Sequence, residues 1–201
     1  MKALLAIDIQ NDFCPGGALG VKGGDEVVPE INRFRGKFPL FVLTQDWHPA
    51  NHASFAANHP GHEPGEVIDL DGLKQILWPV HCVAGSRGAE FHPDLERYGD
   101  EPVFHKGTDP RIDSYSAFYD NAHRKSTGLT DFLRDHGVRE VFLCGLATDY
   151  CVLYSTLDAL QEGFKVTVIQ DACRAVELSP GDGEKAYQRM WAAGARLVYQ
   201  P

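Results

Sequence analysis

Val141-Phe142-Leu143-Cys144 runs apolar into Gly145-Leu146-Ala147-Thr148-Asp149-Tyr150-Cys151, and a helical pattern follows at once, with Leu153, Leu157 and Leu160 on one face of Tyr150 to Glu162. A short apolar run, here drawn from Glu140 to Cys144, that feeds an amphipathic helix reads as a strand and helix of a sheet covered on both faces. The turn places Cys151 in the first turn of the helix, where free backbone N–H groups and the helix dipole favour a thiolate. The same position also suits a small buried hydrophobe, the usual fate of cysteine. Partners elsewhere in the chain decide between the two.

The same alternation extends outward in both directions. Strand-like runs fall at Ala3 to Ile7, Leu40 to Thr44, Pro102 to His105, Lys165 to Ile169 and Arg196 to Tyr199. Between them, Glu26 to Arg35 carries Val27, Ile31 and Phe34 at helical spacing, and Thr130 to His136 carries Phe132 and Leu133. Glu184 to Gly194 carries Tyr187, Met190 and Trp191 in the same way, and Gly137, Gly163 and Gly194 stand where helix C-caps belong. The pattern predicts an α/β protein with a predominantly parallel sheet of about six strands and helices on both faces, in a single domain over residues 1–201.

Composition narrows the function. A net charge of −9 repels phosphate backbones and anionic lipid, which disfavours nucleic-acid and membrane-surface roles and suits a small neutral substrate. Met1-Lys2 leads into an apolar run too short for a signal-peptide core and ended by Asp8, and no stretch approaches a membrane span, so a cytoplasmic protein is expected. The five cysteines (Cys14, Cys82, Cys144, Cys151, Cys173) are odd in number and lack C-x-x-C spacing, which argues for reduced thiols. Whether the chain forms a homo-oligomer is left open by its sequence.

In open parallel sheets ligands bind beyond the carboxyl ends of the strands, so Asp8, Asp46, Lys106, Gly145 to Cys151 and Asp171 are the residues to weigh. No glycine-rich phosphate loop follows the first strand; Asp8-Ile9-Gln10-Asn11-Asp12-Phe13 stands there instead. Singly, Asp8 and Lys106 read as solvated strand ends; with Cys151 they could supply a base, a cation and a nucleophile. The long segment Asp46 to Gly99 is rich in His, Pro and Gly and shows little periodicity, as functional loops do. Within it, Asp46 and His48 are one residue apart, on one side of an extended segment, and His81 follows in Trp78-Pro79-Val80-His81-Cys82. Two imidazoles and a carboxylate suit zinc, iron or manganese with open positions, although a polar loop of hydrogen-bonded histidines fits the same spacing.

These motifs, with Thr44-Gln45-Asp46-Trp47-His48-Pro49, His52, Ser54-Phe55, Lys106-Gly107, Asp113-Ser114-Tyr115-Ser116-Ala117-Phe118 and Ala147-Thr148-Asp149-Tyr150-Cys151-Val152, resemble the nicotinamidases of the isochorismatase-like cysteine hydrolases. The resemblance keeps the motif order from the first strand to beyond Asp171. It implies catalytic roles for Asp8, Lys106 and Cys151, and one divalent metal, zinc before iron or manganese, on Asp46, His48 and His81. It further implies a non-proline cis peptide at Leu146-Ala147 that turns the N–H groups of Ala147 and Cys151 towards an oxyanion, with Phe13, Trp78 and Tyr115 lining a ring pocket. The implied reaction is hydrolysis of nicotinamide, and also of pyrazinamide, in NAD salvage. A metal-free hydrolase of carbamoyl or other small amides with the same fold is the first alternative; a metallohydrolase in which Cys151 is core, and a non-catalytic binding module, are the others.

Overall fold

A computed structural model describes residues 1–201. Six strands form one parallel sheet: β1 (Lys2–Ile7), β2 (Phe41–Asp46), β5 (Val103–Lys106), β6 (Glu140–Leu146), β7 (Lys165–Arg174) and β8 (Arg196–Val198), in the order β5-β2-β1-β6-β7-β8. Four helices connect them: α1 (Val27–Arg35), α2 (Leu129–Asp135), α3 (Leu153–Gln161) and α4 (Asp182–Ala192). From β1 the chain crosses to β2 on one side, and from β6 to β7 on the other, so right-handed crossovers put α1 on one face and α2 to α4 on the opposite face. The central strands are accordingly buried on both faces: every residue of β2 and all but the first of β1 are buried. One core cluster runs from Leu4, Leu5 and Ile7 through Ile31 and Phe34 to Leu143, Val168 and Met190.

Three departures from the sequence reading matter. β2 and β5 each run on far enough to include Asp46 and Lys106, which pair across the sheet and therefore sit on rigid strand ends rather than past them. β7 continues to Arg174: Val168 faces Leu143 and Cys173 faces Gly145, so Ile169 to Ala172 pass Cys144 alone. That irregularity keeps Asp171 within the strand and away from the site, its carboxylate accepting from Gln200 Nε2 at 3.3 Å. Third, the segment read as irregular contains a hairpin, β3 (Val67–Leu70) and β4 (Leu73–Ile76). Its turn is Asp71-Gly72 with φ of 52° and 86°, the left-handed pair that a two-residue hairpin loop requires.

On α4 the buried stripe is Gly183, Ala186 and Met190; Trp191, one residue round the helix, is 69% exposed rather than on the inner face. Gly137, Gly163 and Gly194 take positive φ directly after α2, α3 and α4. No helix is long and apolar enough to cross a membrane.

Candidate active site

The sheet reverses its winding between β1 and β6, and the crevice at their carboxyl ends is where such sheets hold ligands. Asp8 follows β1 there, with φ of 52°. It is held by Thr44 of β2: the Asp8 N–H donates to Thr44 Oγ1 at 3.1 Å, and that hydroxyl donates back to Asp8 Oδ1 at 2.6 Å. Cys151 arrives from β6 through the cis peptide Leu146-Ala147 and a π-helical turn, Thr148–Val152, that leads into α3. Lys106, at the end of β5, lies between them.

The ammonium of Lys106 is fully enclosed. Its three protons are matched by three acceptors: Asp46 Oδ1 in a short contact, the Ser114 carbonyl at 3.0 Å and Cys151 Sγ at 3.3 Å. Asp8 Oδ2 is 2.9 Å from the same nitrogen yet accepts no well-directed hydrogen bond. That oxygen is buried beside the Cys151 thiol. Asp8, Asp46 and Cys151 bring ligand atoms within 4.8 Å of one another, and the cation enclosed among them is the lysine's own.

At Cys151 the helix start is opposed by burial. Burial pushes its thiol well above the ordinary range; Lys106 pulls it down, and Asp8 and Asp46 push it up. Burial also raises Asp8, against the pull of Lys106. For Asp46 burial works upward too, but Lys106 and His48 together hold the carboxyl well below its usual value. Lys106 is kept charged in spite of burial, chiefly by Asp46 and then Asp8. Lys106 thus lies against both the thiol and the Asp8 carboxyl, its ammonium placed for the charge that forms when a proton moves between them.

Beside it, Asp46 Oδ2 lies 3.6 Å from His48 Nε2 and 3.8 Å from His81 Nε2. Each imidazole is tied at Nδ1 to a backbone carbonyl, His48 to Gly107 at 2.9 Å and His81 to Pro79 at 2.8 Å, which turns the other nitrogen inward. Gly107 has φ of 62°, and a Cβ there would stand 2.3 Å from His48 Cε1, so the close approach needs glycine. Ring nitrogens fixed from behind by carbonyls, facing a carboxylate whose other oxygen is neutralised, fit a divalent metal. His52 is not part of this set: its Nδ1 meets Ser54 Oγ at 2.7 Å and its Nε2 the Ile112 carbonyl at 3.3 Å, and it groups with His48 and Asp113 instead.

Both clusters open onto one pocket, lined by Asp46 and His81 together with Cys151 and Ala147, and walled by Phe13, Leu19, Trp78, Tyr115, Tyr150 and Val176. The walls are fixed by ring packing and by hydrogen bonds from Trp78 Nε1 and Gln75 Nε2 to Tyr115 Oη at 3.3 and 3.2 Å. Gln75 comes from the unforeseen hairpin; Asp71-Gly72 flanked by Val67 to Leu70 and Leu73 to Ile76 was the available signal. Thr44, the Ser114 carbonyl and Tyr150 were also not singled out. Nor was Gln10, whose amide accepts from Asp46 N at 2.9 Å and donates to Asp46 O at 2.8 Å.

The isochorismatase domain matches residues 2–199. The chain belongs to the isochorismatase family. Within it, the chain is 52% identical over 200 residues to the nicotinamidase of Escherichia coli (strain K12), covering 98% of this chain and 93% of that one. Its structure matches an Acinetobacter baumanii nicotinamidase and pyrazinamidase with a TM-score of 0.95 at 48% identity, over 98% of this chain and 95% of the other. It also matches the pyrazinamidase of Pyrococcus horikoshii in complex with zinc, with a TM-score of 0.82 at 37% identity, over 100% and 99% of the two chains. The family accounts for the fold, and the divalent-metal chemistry agrees with the donor set described above.

Proposed function

We propose that this isochorismatase-family chain is a cysteine amidohydrolase that converts nicotinamide to nicotinate and ammonia, accepts pyrazinamide, and acts in cytoplasmic NAD salvage. The observation that carries the reading is that Cys151 and the pair Asp46 and His81 line the same small pocket between aromatic walls. In this reading a flat ring lies between the walls, with its carboxamide over the thiol and its ring nitrogen towards the metal donors. The nicotinamidase and pyrazinamidase relatives support the same substrate class.

In this reading Asp8 Oδ2 takes the Cys151 proton as sulfur attacks the carboxamide carbon, and Lys106 stabilises both anions. Backbone N–H groups of Ala147 and Cys151 receive the oxyanion, an interaction whose loss typically costs about 10²–10³ in rate. Asp8 returns the proton to the departing nitrogen; the C–N bond breaks, ammonia leaves, and the acyl group stays on Cys151 as a thioester. Water then adds to the thioester with Asp8 as base; the C–S bond breaks, nicotinate is released, and the proton held by Asp8 returns to the sulfur. Phe13, Trp78 and Tyr115 hold the ring. Asp46, His48 and His81 would hold the metal, assigned here as zinc ahead of iron or manganese; when bound it supplies a Lewis-acidic position for the ring nitrogen.

Release of ammonia from nicotinamide by the purified protein is the direct test, and no release would refute the reading. Dialysis against a chelator is expected to abolish activity while circular dichroism stays unchanged, because the three ligands gather at the carboxyl end of the sheet and leave open positions, unlike a closed structural site. Joint loss of activity and ellipticity would make the metal structural. Full activity in protein with no bound metal would favour the metal-free small-amide hydrolase.

A further inference from the structure

Asp12 belongs to the first motif, yet neither the proposed chemistry nor the pocket wall uses it. Its side chain spans two parts of the site. Oδ2 accepts from the N–H of Cys82 at 2.7 Å, and Oδ1 accepts from the N–H of Ala18 at 3.2 Å. Cys82 directly follows His81 and has φ of 44°, a left-handed conformation that its own side chain does nothing to favour. Ala18 directly precedes Leu19, which walls the ring pocket, and the N–H of Leu19 donates to the Asp12 carbonyl at 3.0 Å. The carboxylate sits in a slot closed on its far side by Gly88, where a Cβ would come within 2.0 Å of Oδ2.

We propose that Asp12 is a positioning residue that fixes the metal ligand His81 and the pocket loop carrying Leu19 relative to each other through one carboxylate. The bond to Cys82 N holds the left-handed turn that presents His81 to Asp46 and His48. The bond to Ala18 N holds the loop over the ring site. Metal affinity and substrate affinity are thereby linked through a residue that touches neither metal nor substrate. The inference rests on the reading of Asp46, His48 and His81 as metal ligands.

The two halves separate by substitution. Asp12→Ala removes both acceptors. Asp12→Asn keeps one oxygen, which the shorter contact to Cys82 N retains, and turns an amide N–H against that of Ala18. Gly88→Ala leaves Asp12 in place but pushes its carboxylate out of the slot, so it serves even where Asp12→Ala does not fold. Zinc is titrated into each metal-free protein in competition with a chromophoric chelator, and KM for nicotinamide is measured on the zinc-loaded forms. Outer-shell partners of metal ligands typically account for 10–100-fold in metal affinity, and because Asp12 acts through one backbone bond, about tenfold weaker zinc binding is expected for Asp12→Ala and Gly88→Ala. Asp12→Asn is expected to bind zinc like the wild type and to show a raised KM. Wild-type zinc affinity in both Asp12→Ala and Gly88→Ala, or an unchanged KM in Asp12→Asn, would overturn the proposal. A wild-type protein that takes up no zinc would overturn the metal reading itself, and the zinc titration reports this without any turnover.

Discussion

Cys151→Ala is expected to lower kcat/KM for nicotinamide by at least about 10⁴-fold, because removing one member of a catalytic unit costs nearly as much as removing the unit. The fold should survive, since Cys151 lines an existing pocket and the change enlarges that pocket rather than opening a void in the core. No other thiol is placed to substitute. Cys14, Cys82, Cys144 and Cys173 are buried, and none of them lines the pocket. Asp8→Asn and Lys106→Ala should fall nearly as far as Cys151→Ala. The double variant should be little worse than either single, because base, cation and nucleophile act on one proton transfer. Activity of Cys151→Ala within tenfold of wild type, with an unchanged melting curve, would end the covalent mechanism and return Cys151 to the core.

The parts of this molecule that were legible in its sequence are those in which one residue's chemistry and its place on a strand coincide. β1, β2 and β6 declare themselves as apolar runs because a sheet covered on both faces has no polar side to mark. Asp8 and Asp46 stand out as charges at the ends of β1 and β2, and Lys106 as the charge that closes the edge strand β5. What stayed hidden depends on partners distant in sequence. Thr44 reads as an ordinary strand residue until its hydroxyl is seen closing on Asp8, and Gln10 as an ordinary polar one until its amide brackets Asp46. At Cys151 the place at a helix start favours a thiolate, while burial and the two nearby carboxylates push the thiol up, and burial is a property of the assembled site.

Benzamide separates the roles of the two clusters. It carries the same carboxamide and nearly the same shape as nicotinamide, and it should meet Phe13, Trp78 and Tyr115 equally well, so a pocket that selected by apolar fit alone would hardly tell the two apart. A missing methylene in such a pocket alters selectivity by about 10–200-fold, whereas a site built around a polar partner rejects an analogue lacking it by about 10⁴–10⁵. Asp46, His48 and His81 are turned inward with their second atoms already satisfied by Lys106, Gly107 and Pro79, which is the arrangement of such a built partner. Nicotinamide and pyrazinamide, both with a ring nitrogen meta to the carboxamide, are therefore expected to exceed benzamide in kcat/KM by about 10⁴ or more. The thiol, the base and the oxyanion donors are indifferent to that nitrogen. Comparable kcat/KM for benzamide and nicotinamide would therefore remove the ring-nitrogen anchor and leave the Cys151 chemistry standing. A large gap that collapses in His81→Ala, through a loss for nicotinamide with little change for benzamide, would trace the selection to the metal ligands rather than to the aromatic walls.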